Sequence, residues 1–238
     1  MKRILVVIMA ALVMLSAFAC AKTEEPEVLY QNAVKDAVFA EQDEIQPVVE
    51  LTKNSDMAQW DESGEKVLMV FWHKYPESYP NGETVSLDWG DVWCMSMQEM
   101  QAWYQKNGKG VTDWNERFCQ LIGLPLDKGY TYFTTAWVEP DDMKRPAYDT
   151  DVTEQVEDIA FDDTDNGQDE AYVEWFDGNI IWSYFDSAYP WTRLGYTYDW
   201  ADNGTEYGLS EFLIAQGSEI EVESTLPTEE FVKMLDAA

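Results

Sequence analysis

The sequence is short of histidine, cysteine and positive charge. One His, three Cys and 15 Lys plus Arg stand in 238 residues against 46 Asp plus Glu, a net charge of −31. Each scarcity excludes something. Nucleic-acid binding needs a basic face for the phosphates, and this composition supplies none. Tight docking on anionic lipid headgroups fails on the same sign. A standard structural zinc centre needs four Cys or His ligands, more than the chain offers once Cys20 is set aside. A Ser-His-Asp or Cys-His mechanism would have to use His73, and no Gly-x-Ser-x-Gly elbow accompanies it. Long apolar runs are scarce too: residues 4–15 form an uncharged run of 12, below the roughly 20 residues a bilayer-spanning helix needs. What is abundant is aromatic surface, with 11 Trp, 13 Tyr and 10 Phe. At 46% apolar and 26% charged residues the chain is globular rather than disordered, and its length suits one domain or two small ones.

The N-terminus reads as an export signal. Lys2 and Arg3 precede the apolar run, and Ser16, Ala17, Phe18, Ala19 and Cys20 supply a cleavage region. The segment resembles a bacterial lipoprotein signal ending in an acylated Cys20. Ala19 fits that pattern, Ala17 is a weak substitute and Phe18 departs from it. An ordinary A-x-A site, at 17–19 or 19–21, is the rival. The first reading gives a signal peptide over 1–19, a polar tether over 20–27 and a domain over 28–238. It places the protein in the cell envelope, facing the periplasm or exterior and held to the membrane by lipid on Cys20; otherwise the chain is secreted. Removing Lys2 and Arg3 leaves 13 basic residues against 46 acidic, a net charge of −33.

Cys94 and Cys119 remain. In an oxidising compartment they suggest a disulfide closing a loop of about 25 residues, worth roughly 3.5 kcal/mol in the chain-entropy account. Two buried free thiols are the alternative.

Periodicity predicts an α+β fold: a single compact domain whose mostly antiparallel or mixed sheet is packed by several helices. Helices are expected over about 28–42, after Ser96 (Met97, Met100, Tyr104), and after Thr112 or Asp113 (Trp114, Phe118, Leu121, Ile122). A fourth is expected through Tyr172, Phe176, Ile180 and Tyr184, and a last one over 228–235. Asp177-Gly178 makes a hairpin the rival for the fourth. The continuous apolar run 67–72 reads as a buried strand; 84–87, 92–95, 130–138, 196–200, 209–215 and 219–222 are further strands. Residues 141–168 read as an acidic, turn-rich surface segment.

Several strings together resemble a family of exported bacterial proteins without an assigned activity. They are residues 33–41, 121–125 with 137–140 and Arg145-Pro146, and above all 189–200 with 208–212. The resemblance implies one continuous domain and no functional residue.

Candidate sites follow from residue chemistry. Asp162, Asp163, Asp165 and Asn166, ahead of Gly167, offer clustered oxygens for a calcium ion, the one cofactor the sequence suggests. Thr164 and Val173 break the EF-hand pattern there, and a solvated acidic loop is the alternative. Trp191, Arg193 and Trp200 suggest a ligand site in which a guanidinium among rings anchors an anionic group. The plainer reading of Arg193 is a structural pair with Asp or Glu. Asp88 and Asp91 flank Trp89, and Asp199 and Asp202 flank Trp200, as in a carboxylate-dependent glycan hydrolase. With 46 acids such pairs are expected by chance. The plainer reading of His73 is a partly buried structural histidine, hydrogen-bonded at a strand end. The charge favours cationic proteins, peptides or ions as partners. The expectation is therefore a non-catalytic binding or interaction protein of the envelope. A glycan hydrolase and an inhibitor or immunity protein that captures a cationic enzyme are the alternatives.

Overall fold

A computed structural model describes residues 24–161 and 170–237. The calcium-loop candidates Asp162, Asp163, Asp165 and Asn166, and the lipidation candidate Cys20, lie outside these residues.

The fold is organised by β1 (Val67–His73), in which every residue is buried. Its period-two alternation feeds two cores. Val67, Met69 and Phe71 point to one, and Leu68, Val70 and Trp72 to the other. β1 is paired on both edges and is the central strand of a seven-stranded sheet whose two faces are both covered. β4 (Tyr132–Val138) pairs along its whole length from Val67↔Val138 to His73↔Tyr132. On the other side stands β3 (Val92–Ser96). The sheet is completed by β2 (Thr84–Ser86), β5 (Met143–Lys144), β8 (Phe212–Ile214) and β9 (Glu219–Pro227), in the order β2-β9-β4-β1-β3-β8-β5. Every pairing is antiparallel. β6 (Tyr196–Tyr198) and β7 (Tyr207–Ser210) form a separate antiparallel ribbon.

Helices cover one face. α1 (Pro26–Asp36), α2 (Met97–Asn107), α3 (Trp114–Leu121) and α5 (Thr228–Ala237) bury residues in the core that holds Trp72. Ser96 caps α2 by accepting from the Glu99 amide, and Asp113 caps α3 by accepting from the Glu116 amide. Phe118, Phe133 and Phe231 meet at the centre, with Phe133 and Phe231 stacked at 4.1 Å. Burying each contributes about 1.5–3 kcal/mol. The opposite core is roofed by irregular chain carrying Val49, Leu51 and Leu87. The result is one α+β domain. Among the described residues no helix is long and apolar enough to cross a membrane.

Three local expectations shift. α1 ends at Asp36 rather than near 42. The stretch 209–215 is two strands, because the chain leaves the β6–β7 ribbon at Ser210 and joins the main sheet at Phe212, with Glu211 as the joint. β9 runs five residues beyond 222, its polar half bonded to β4 through Thr134–Thr225 and Thr135–Ser224 hydroxyl pairs. Asp177-Gly178 lies inside α4 (Glu170–Ile181), which continues into a π-helical turn over Trp182–Asp186. Glycine costs a helix about 1 kcal/mol. Burial of Tyr172 and Phe176 beside Trp191 outweighs it.

The expected Cys94–Cys119 disulfide is absent, and both are free buried thiols. The sheet separates them: Cys94 lies in the Met69–Phe71 core and Cys119 in the Trp72–Phe118 core. Burial, joined by nearby carboxylates, pushes the Cys119 thiol up to about 12, and Cys94 is raised by burial as well. Both are small hydrophobes rather than nucleophiles.

Candidate functional site

Trp191, Arg193 and Trp200 do not converge on a ligand. All three are buried, and Trp191 and Trp200 belong to different packing clusters. The Trp191 indole donates to the Pro146 carbonyl at 3.2 Å, and the Trp200 indole donates to the Cys119 and Leu124 carbonyls at 3.0 Å each. Arg193 donates to the Tyr148 hydroxyl at 2.9 Å and to the Ala37 and Val38 carbonyls at 3.2 and 2.8 Å. It serves as an internal clamp on backbone rather than an anion anchor or a partner for Asp or Glu. Of the three, only Trp191 also lines the cleft described below.

Three of the four paired carboxylates are engaged as well. Asp199 takes both Arg117 Nη atoms, at 2.9 and 2.6 Å, and accepts further bonds from the Ala201 amide and the Asn203 side chain. A carboxylate held in that way has both oxygens committed to donors within the protein. Asp88 accepts from Ser86, and Asp91 from the Gln216 amide at 2.7 Å.

His73 is structural. Its Nδ1 accepts from the Tyr75 amide at 3.0 Å, and its Nε2 lies 2.8 Å from Thr134 Oγ1. Thr134 Oγ1 contacts Thr225 Oγ1, which donates to the Tyr79 carbonyl. That terminal acceptor orients the whole relay, so Thr134 accepts and the proton sits on Nε2. Burial pushes the imidazole down to about 4, so it is neutral at physiological pH.

Three concavities compete for a ligand. One, about 570 Å³, is lined by polar groups that include Asp36, Asp202 and Glu206. The largest of the three, about 860 Å³, lies between α2 and the β7 region and holds Glu99, Arg117 and Asp199. Three of its charges are engaged: Arg117 with Asp199, and Glu99 with the Ser210 amide and hydroxyl and the Tyr207 hydroxyl. Burial raises Glu99 to about 7 in spite of those bonds.

The third, about 330 Å³, is walled by rings. β1 supplies Phe71 and Trp72, β3 supplies Trp93 and Met95, and Tyr79, Tyr130, Tyr189 and Trp191 come from loops. At the rim Tyr75, Trp89 and Trp182 are 59%, 55% and 46% exposed. This is the form of a small-molecule site, concave and mostly apolar with a few polar groups. The wall at 189–191 is held by backbone in an uncommon state. Ala188 and Arg193 have φ of 55° and 62°, in the left-handed region that costs a non-glycine residue about 1–2 kcal/mol. The Tyr30 hydroxyl, donating to the Ala188 carbonyl at 2.8 Å, and the Arg193 clamp hold the segment in place.

Glu211 is the candidate site residue that the sequence pattern did not single out. Its neighbours alternate: Phe212 and, opposite it, Cys94 enter the Met69–Phe71 core, so Glu211 falls on the other face with Trp93 and Met95, which line the cleft. Its amide donates to the Gly195 carbonyl, while no described residue donates to its carboxyl. Burial alone pushes that carboxyl up to about 8. It is therefore a neutral acid at pH 7, facing a ring-lined space. The only signal in the sequence is a lone acid in an otherwise apolar stretch. Elsewhere Asp36, Glu44 and Glu206 bring one carboxylate oxygen each within 4.8 Å of one another, and burial and mutual repulsion raise Glu44 and Glu206.

No family model, curated protein or solved structure matches this chain.

Proposed function

We propose that this chain is an exported binding protein, tethered through a lipid on Cys20, which holds a small molecule in the aromatic cleft without transforming it. The observation that carries the binding role is the cleft itself: three aromatic side chains stand exposed around the mouth of a ring-walled space. Exposed rings grouped at a concavity are a costly surface unless a ligand covers them. A non-catalytic role is supported by the commitment of two groups the sequence offered for catalysis, since His73 has both ring nitrogens bonded and Asp199 is saturated by donors.

The test is a small-molecule screen read by the indole resonances of the ¹⁵N-labelled protein. Ligands are expected to move Trp89, Trp93, Trp182 and Trp191 together, and Trp89→Ala with Trp182→Ala to weaken them. Ligands that move only indoles outside the cleft would defeat the reading. Export and tethering are tested by palmitate labelling, which Cys20→Ser is expected to abolish. Freely secreted, unlabelled protein would remove the tether.

A further inference from the structure

Resting on the binding reading above, we infer that the cleft takes an organic cation, its ammonium centre lodged among ring faces and paired with the carboxyl of Glu211. Three observations converge. The wall is mostly ring, lined by Phe71, Trp72, Tyr79, Trp89, Trp93 and Trp182, and ring faces are the recognition chemistry of quaternary and methylated ammonium groups. Lys128, a resident positive charge in the same wall, is bonded to the Tyr189 hydroxyl at that ring's edge and leaves the other ring faces open. Glu211 then offers a carboxyl that receives no bond from any described residue, on the cleft-facing side of the joint between β7 and β8. Finally, a chain of net charge −31 draws cations toward every opening and repels anions. A small hydrated metal ion would lose its water against rings. A methylated ammonium spreads its charge over apolar surface and suits a wall that is mostly ring.

Binding is coupled to a proton. The carboxyl is held neutral by burial, and an arriving cation favours its ionised form, so uptake of the ligand releases the Glu211 proton. The other groups around Glu211 leave that step to it. His73 on β1 is neutral, and Cys94 on β3 and Tyr184 of the π-helical turn are raised by burial. Asp91 accepts from Gln216, and Lys128 is engaged with Tyr189. Tyr79 and Tyr130 are raised by burial, and Tyr198 donates to Asp36.

The experiment compares choline with 3,3-dimethylbutan-1-ol, its neutral isostere, by titration calorimetry and by the indole resonances. Choline is expected to bind at least tenfold more tightly. Its affinity should rise with pH, approaching tenfold per unit below the Glu211 titration, and level off above it. Glu211→Gln should remove that pH dependence and weaken choline at least tenfold at the plateau, while leaving the isostere unchanged. Trp182→Ala, at an exposed site, should weaken choline without altering its pH profile. Equal or stronger binding of the isostere, or choline binding that does not depend on Glu211, overturns the cation and leaves the cleft as a site. Choline failing while phenyl β-glucoside moves the cleft indoles does the same. Failure of all three probes brings down both readings.

Discussion

Replacing Glu211 by Gln should make the protein more stable at neutral pH, by an amount that grows with pH. The carboxyl sits near 8 in the folded chain, against an ordinary value of about 4.5. Between those values the folded state holds a proton that the unfolded state has released. Stability then falls as pH rises, with a slope of about 1.4 kcal/mol per unit. The Glu211 contribution is fully present below pH 4.5, reduced by about 3 kcal/mol at pH 7, and reduced by about 5 kcal/mol above pH 8, where the slope ends. Gln keeps the shape and cannot ionise, so the difference between wild type and Glu211→Gln isolates this one site. Urea unfolding from pH 4 to 9 measures it. Glu99, raised to about 7, adds a loss of the same sign as pH rises from about 4.5 to 7. His73 opposes both: its imidazole is lowered to about 4, so its contribution is present above about 6.5 and lost as pH falls toward 4. Both cancel in the difference. A difference that stays flat between pH 5 and 8, or that favours wild type as pH rises, would refute the placement of an isolated carboxyl in the cleft.

Other consequences test the packing. Phe231→Ala should cost about 3–5 kcal/mol in chemical denaturation, because it removes the ring stacked on Phe133 and leaves a cavity between α5 and the sheet. Gly208→Ala should lower the melting temperature despite its size. An added Cβ would collide with the Thr197 hydroxyl and stand 2.5 Å from the Leu121 carbonyl oxygen, an overpacking worth about 1–3 kcal/mol. Cys94 and Cys119 should resist a disulfide-exchange reagent in the native protein, react after denaturation, and show no mass change on reduction.

Elements whose stability is local were legible in the sequence. Residues 67–72 are apolar on both faces, which suits a strand covered on both sides. Ser96 and Asp113 begin helices because their side chains accept the amides three residues on, a requirement visible in the residue order. What depends on distant chain was not legible. The break at Glu211 divides 209–215 between two sheets, and nothing in that string marks where its partners change. The polar half of β9 has no apolar alternation, and it is a strand because Thr134 and Thr135 of β4 offer hydroxyls to it. Trp191 and Trp200, close in sequence and chemically alike, suggested one site. The β6 chain between them sends them into separate cores. The cleft draws on β1, β3, the loops near 75–91 and 122–130, and the 182–198 segment, so no short spacing encodes it.

The fate of the arginines links the fold to the charge. After residue 20 there are three, and two are spent inside. Arg145 gives one nitrogen to the carbonyls of Val49, Val152 and Glu154 and packs over the Phe212 ring, while Arg193 binds the Ala37 and Val38 carbonyls. Neither forms an ion pair with a carboxylate; among the described residues such pairs are Arg117–Asp199, Lys66–Glu221 and Lys233–Glu230. Most of the acidic surface is therefore opposed only by itself. Self-repulsion of that kind destabilises the compact state and is screened by salt, whose Debye length shrinks from about 10 Å at 0.1 M to about 3 Å at 1 M. Sodium chloride over that range should raise the melting temperature, while the internal Arg145 and Arg193 contacts, shielded from solvent, should respond little. The same screening should slow the association of choline more than that of its neutral isostere. A melting temperature that falls with added salt would mean that surface ion pairs outweigh repulsion, contrary to the sparse pairing seen here.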